Sequence, residues 1–156
     1  MGELAVAADS PSRADVMALL ERHLEFAYAN SPHADVHALD ATRLTADGIS
    51  FFSVRDDGEL LGVGAIKELD PTHGELKSMH TAIAARGRGV GRLMVNHLLS
   101  VAAARGYTRV SLETGVGDAF APALGLYDSI GFVRCEPFAD YVPSEHSTFM
   151  TMELTT

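Results

Sequence analysis

Apolar positions along this chain follow two rhythms, alternation and helical spacing, and each change of rhythm marks an element. Residues 4–8 read as a short first strand. Pro11 and Ser12 open a helix in which Val16, Leu19, Leu20, Leu24 and Tyr28 form one apolar stripe. Ser31-Pro32 predicts a second N-cap and first turn, leading into a short helix over residues 34–39. Strands over residues 49–55 and 59–69 are joined by Asp56-Asp57-Gly58, a sound hairpin turn. Pro71-Thr72-His73-Gly74 then turns the chain into a strand over residues 75–82. Leu93, Met94, Leu98, Leu99 and Ala102 recur at helical spacing. Beyond them the pattern predicts a strand over residues 107–114, a helix over 119–130, a strand start at 132–135 and a final strand over 148–154. No repeat, low-complexity segment or linker interrupts the order. The chain reads as one domain over residues 1–156, of mixed α/β class.

Composition narrows the function. Apolar residues make up 47% of the chain, enough to bury a core. Twelve basic residues against 21 acidic ones give a formal net charge of -9, which disfavours nucleic acid as a partner. No apolar run approaches the roughly 18 residues of a membrane span, and the N-terminus lacks a basic flank with a hydrophobic stretch, so no membrane partner is expected. The single cysteine, Cys135, excludes an internal disulfide and is compatible with a reducing cytoplasm, the expected location. Seven histidines are scattered without metal-ligand spacing; His33 and His37 could share a helix face, but no third ligand accompanies them, and no metal is expected.

Against this acidic background Arg86-Gly87-Arg88-Gly89-Val90-Gly91-Arg92 stands out, placed where a strand gives way to a helix. A glycine-rich turn feeding a helix brings backbone N–H groups close to an anion, and the helix dipole favours negative charge there. The turn is suited to a phosphorylated ligand. It is not a P-loop, because no Gly-Lys pair exists in the chain, and it is not a dinucleotide fingerprint, because the third glycine would fall on Arg92. What remains, Arg86-x-x-Gly89-x-Gly91, resembles the R/Q-x-x-G-x-G/A turn of the GNAT superfamily of N-acetyltransferases. Downstream, Ala123 through Phe132 is similar to that family's A-x-x-L-Y-x-x-x-G-F segment, and the two motifs together span residues 75–133 in the family's order.

The resemblance implies a fold and a chemistry. The fold is a central mixed, mostly antiparallel sheet with helices on both faces. The chemistry is transfer of an acetyl group from acetyl-coenzyme A to a primary amine of a small molecule or peptide, by direct attack in a ternary complex. Arg86, Gly87, Arg88, Gly89, Val90, Gly91 and Arg92 are assigned to the pyrophosphate, with Met79, His80 and Thr81 beside the pantetheine arm. Tyr127 matches the tyrosine that protonates the departing thiolate. Glu75, eleven positions before Arg86, matches a strand glutamate used as base, and Glu113 on the following strand is its rival. The acceptor side is expected at the N-terminal helices and the loop before the last strand, naming His37, Phe138, Asp140 and Tyr141, with Phe120 alongside. Phe120 is a departure, since many members carry an asparagine there that contacts the cofactor arm. That departure gives some weight to an alternative, a non-catalytic acyl-coenzyme A sensor on the same fold. A homodimer is compatible with the resemblance, and Cys135 reads as a strand residue rather than a nucleophile.

Overall fold

A computed structural model describes residues 3–32, 43–46 and 48–154. Among these, seven strands form one sheet: β1 (Leu4–Ala8), β2 (Ile49–Asp56), β3 (Glu59–Asp70), β4 (His73–Thr81), β5 (Arg109–Gly115), β6 (Val133–Arg134) and β7 (Ser147–Glu153). Their spatial order is β1-β2-β3-β4-β5-β7-β6. Every neighbouring pair is antiparallel except β4 and β5, which run parallel and are joined through helix α2 (Val90–Ala104). This is the mixed, mostly antiparallel sheet that the sequence implied.

Alternation along the strands sends side chains to opposite faces, and each face finds helices. On one face α2 and α3 (Ala121–Ile130) bury Val90, Met94, Leu98 and Tyr127 against Ile66, Leu76, Val110 and Leu112. On the other, α1 (Ala14–Asn30) buries Val16, Leu19 and Leu20 against Phe51, Val63 and Ala65. Arg55 pins the start of α1, donating to Asp15 Oδ2 at 2.7 Å and to Asp9 Oδ2 at 2.9 Å. On α1's face, the segment of sheet formed by β4, β5 and β7 is roofed instead by the loop before β7. There Phe138 packs at 5.9 Å from both His73 and Phe149, and at 5.1 Å from Tyr141.

One irregularity shapes the rest. Val63 pairs with His80 while Ala65 pairs with Lys77, so Ser78 and Met79 together oppose Gly64 in a β-bulge. Ser78 sits at φ 56, left-handed for a serine. Gly64 permits the close approach, because a Cβ there would meet Met79 Sδ and Met94 Cγ, each at 2.7 Å. On the other side of β4, the parallel ladder with β5 runs from His73↔Arg109 to Leu76↔Leu112 and stops. Both strands continue past that point, so the sheet opens between them.

Element boundaries depart from the sequence pattern where side chains redirect the backbone. β4 begins at His73 rather than residue 75, because Asp70 Oδ1 accepts from Thr72 N at 2.7 Å and closes the turn earlier. β5 begins at Arg109 rather than residue 107: Tyr107 N bonds back to Ala102 O at 3.0 Å, finishing the end of α2. The first turn expected of α3 is a separate 3-10 turn, Asp118–Phe120, and the helix starts at Ala121 with Pro122 in its first turn. The helix expected over residues 34–39 lies outside the described residues.

Leu98 is fully buried between α2 and the sheet. Leu98→Ala is expected to lower unfolding stability by about 2–5 kcal/mol, read from urea denaturation midpoints.

Candidate functional site

The opening between β4 and β5 becomes a cleft of about 450 Å³, bounded by the starts of α2 and α3. Gly89 caps α2 at φ 80 with no side-chain hydrogen bond, so the first N–H groups of the helix have no intrahelical or side-chain partner among the described residues. Arg86, Gly87, Gly89, Val90, Gly91 and Arg92 all line this end of the cleft. Arg88 does not line it: its guanidinium pairs with Asp56 at 2.9 Å. Arg92 donates to Ser129 Oγ at 2.7 Å, tying α2 to α3. Met79, His80 and Thr81 line the cleft along β4, and Phe26, Met94, Phe120 and Leu126 make much of its wall apolar. A cationic turn with free N–H groups at one end and an apolar trough behind it suits a phosphorylated ligand with a long, weakly polar arm.

A second cavity, of about 100 Å³, lies alongside, with charged and polar side chains set among apolar ones. Glu75, Lys77, Glu113 and Tyr141 line it, so the two carboxylates proposed from sequence do converge. Glu75 is only 2% exposed, and its Oε2 accepts from Tyr141 Oη at 2.5 Å and from Lys77 Nζ at 3.1 Å. Lys77 Nζ also donates to Tyr141 Oη at 3.1 Å. Burial, with Glu75 and Glu113 nearby, pushes the Tyr141 phenol far above its ordinary value, so it keeps its proton and donates. Phe138 supports this cavity from behind by packing on Tyr141 rather than lining it, and Asp140 is exposed outside it. His37 lies outside the described residues.

Tyr127 lines both cavities. It projects from α3 toward the seam between them, and burial raises its phenol far above the usual range. The proton therefore stays on the oxygen throughout the neutral range. Phe120 also borders both spaces, its ring packed on Phe26 at 5.4 Å and directly over Gly115, where a Cβ would collide with it.

Two residues of the site with ionisable side chains, Lys77 and His23, were missed in the sequence, beside apolar wall residues such as Phe26 and Met94. Lys77 follows Glu75 by two positions in an alternating strand, a spacing that places both on one face. His23 falls at helical spacing with Val16, Leu20 and Ala27 on α1, and it borders both cavities. Its Nδ1 meets His80 Nδ1 at 3.2 Å, a hydrogen bond that requires one of the two rings to be neutral with an unprotonated Nδ1 that accepts. Burial, aided by His80, lowers His23 to about 4; burial, then Arg86 and Arg22, lowers His80 to about 4.

Comparison with known proteins agrees with this geometry. Residues 15–132 match the acetyltransferase (GNAT) family. The chain is 45% identical over 139 residues to the uncharacterized N-acetyltransferase YsnE of Bacillus subtilis (strain 168), covering 89% of this chain and 92% of that one. It is 32% identical over 155 residues to the IAA acetyltransferase of Azospirillum brasilense, covering 99% and 100%. A crystal structure from Klebsiella pneumoniae subsp. pneumoniae MGH 78578, assigned as an acyl-CoA N-acyltransferase, aligns with a TM-score of 0.83 at 25% identity, covering 97% of this chain and 98% of that one.

The histidine pair has a consequence for stability. Both rings take up protons near pH 4 in the folded chain and near 6.5 when unfolded, so their contribution is fully present above about pH 6.5 and is lost as pH falls toward 4. Thermal midpoints are expected to fall across that window, and His23→Gln is expected to flatten the decline. An unchanged slope in the variant would remove the pair as its source.

Proposed function

The chain belongs to the GNAT family of acetyltransferases and is an acyltransferase, and we propose that it transfers an acetyl group from acetyl-coenzyme A to a primary amine of a small molecule or peptide by direct attack with both substrates bound. The observation that carries this reading is the meeting of an anion-binding apolar cleft and a small carboxylate-lined cavity at one tyrosine. Acetyl-coenzyme A supplies the thioester whose carbonyl carbon the amine attacks.

The residues fit that substrate. The uncapped start of α2 with Arg86 and Arg92 would receive the pyrophosphate, and Met79, His80 and Thr81 would flank the pantetheine arm. Phe120, in place of the asparagine common at this position, offers the arm an apolar surface.

On the acceptor side, an amine with an ordinary pKa of about 10.4 must shed a proton before its lone pair can attack. Glu75 takes the role of base: among the described residues both of its hydrogen bonds fall on Oε2, which leaves Oε1 for the amine. Glu113, on the same lining, is the rival for that role. One proton leaves the ammonium to solvent before attack. As the C–N bond forms and the C–S bond breaks, the nitrogen's next proton goes to the carboxylate and the departing sulfur takes the proton of Tyr127. Both side chains are reset by proton exchange with solvent as the products leave. No covalent enzyme intermediate is required, and Cys135 lines neither cavity.

Thiol release from acetyl-coenzyme A, dependent on one pool among amines, amino acid derivatives and short peptides, tests the reading; binding without release from any pool would overturn it. Tyr127→Phe is expected to lower kcat by about tenfold or more with little change in KM for acetyl-coenzyme A. Arg86→Ala is expected to raise that KM by about tenfold, whereas Arg88→Ala changes it much less because its guanidinium is already held by Asp56.

A further inference from the structure

In the small cavity one hydroxyl joins two elements that lie far apart in the chain. Tyr141, in the loop before β7, reaches across 66 positions to Glu75 on β4 and donates to its Oε2 at 2.5 Å. Lys77 Nζ donates to the same oxygen at 3.1 Å and to Tyr141 Oη at 3.1 Å, which closes a ring of three groups. The Lys77 and Glu75 side chains are only 8% and 3% exposed, so water competes little for these bonds. Burial, then the neighbouring Glu75, keeps the proton on the Tyr141 phenol, and the hydroxyl stays a donor. The aromatic ring is placed by packing, 5.1 Å from Phe138 and 5.6 Å from Phe149. Its oxygen is therefore brought to Glu75 by the fold, not by the bond it makes there.

A carboxylate has two equivalent oxygens, and turning about its last side-chain bond exchanges them. Lys77 and Tyr141 each take one bond to Oε2, which stops that rotation. Resting on the acetyl transfer proposed above and on Glu75 as its base, we infer that Tyr141 is a positioning residue: with Lys77 it fixes Glu75 so that Oε1 meets the acceptor nitrogen, and it does not itself bind the acceptor. The sequence placed Tyr141 on the wall that the acceptor touches. Instead its one proton is given to Glu75, its oxygen receives Lys77, and its ring is packed on two phenylalanines. A reacting group misplaced by about 1 Å can lose on the order of a hundredfold in rate, so a bond that only aims the base still enters kcat.

The test follows thiol release from acetyl-coenzyme A with propylamine, ethanolamine and glycinamide, each taken to saturation. Tyr141→Phe keeps the packed ring and removes only the hydroxyl. It is expected to lower kcat by about tenfold, with KM for the amine and for acetyl-coenzyme A within about twofold of wild type. Glu75→Gln is expected to lower kcat by about a hundredfold or more. Adding Tyr141→Phe to Glu75→Gln is expected to lower it no further, because no base is left to aim. Should Tyr141→Phe fail to fold, Lys77→Met withdraws the other donor from Oε2 and is expected to show the same dependence on Glu75. A raised amine KM with kcat kept would make Tyr141 part of the acceptor's binding surface and overturn the inference. An equal loss of kcat in both backgrounds would do the same, since the hydroxyl would then act without Glu75. Full kcat in Glu75→Gln would move the base elsewhere, overturning the inference while acetyl transfer stands. No release by the wild-type chain from these amines or from the wider pools would instead overturn the transfer itself, and with it the need for a base.

Discussion

The end of the β4–β5 ladder at Leu76↔Leu112 is the constraint on which the molecule turns. A parallel pair of strands buried between helices normally keeps its hydrogen bonds to the end, because unpaired backbone groups away from water are costly. Here the bulge at Ser78 and Met79 swings β4 away, and Gly64 gives the bulged backbone room against α2. Both cavities border the gap. The long cleft runs beside β4 from the bulge to Thr81, and the small cavity takes in the last paired leucines and the two carboxylates. A strand that stayed straight would close both.

Charge then separates what the gap has opened. Arginines and free helix N–H groups gather at one end, while the other holds carboxylates offset by one lysine. Between them stand groups that carry protons or aromatic surface but no charge: Tyr127, Phe120 and the hydrogen-bonded pair His23 and His80. A chain with a formal net charge of -9 concentrates cationic side chains at the start of α2 and spends one of them, Arg88, on holding β2 through Asp56.

Much of this was legible from residue order. Alternation and helical spacing located the principal elements to within a few residues outside residues 33–42, and six of the seven residues of the glycine turn, with Tyr127, fall on the cleft lining. What escaped was set by contacts that local pattern does not encode. Asp70 shortens a turn by accepting from Thr72. Arg88 turns away to an aspartate more than thirty residues earlier in the chain. Phe138 backs the small cavity without lining it, and Asp140 stays outside in the same loop. The pairing of His23 with His80 joins an amphipathic helix to a strand 57 positions away, and neither sequence neighbourhood signals the other.

Helix α1 divides its work along its length. Its first half is bound into the fold: Asp15 is held by Arg55, and Val16, Leu19 and Leu20 fill the core beneath it. Its second half contributes His23, Phe26 and Ala27 to cavity walls rather than to that core. Substitutions in the later turns would reshape cavity walls while the earlier turns keep the helix seated, so the form of the cavities can vary separately from the anchoring of the element that lines them.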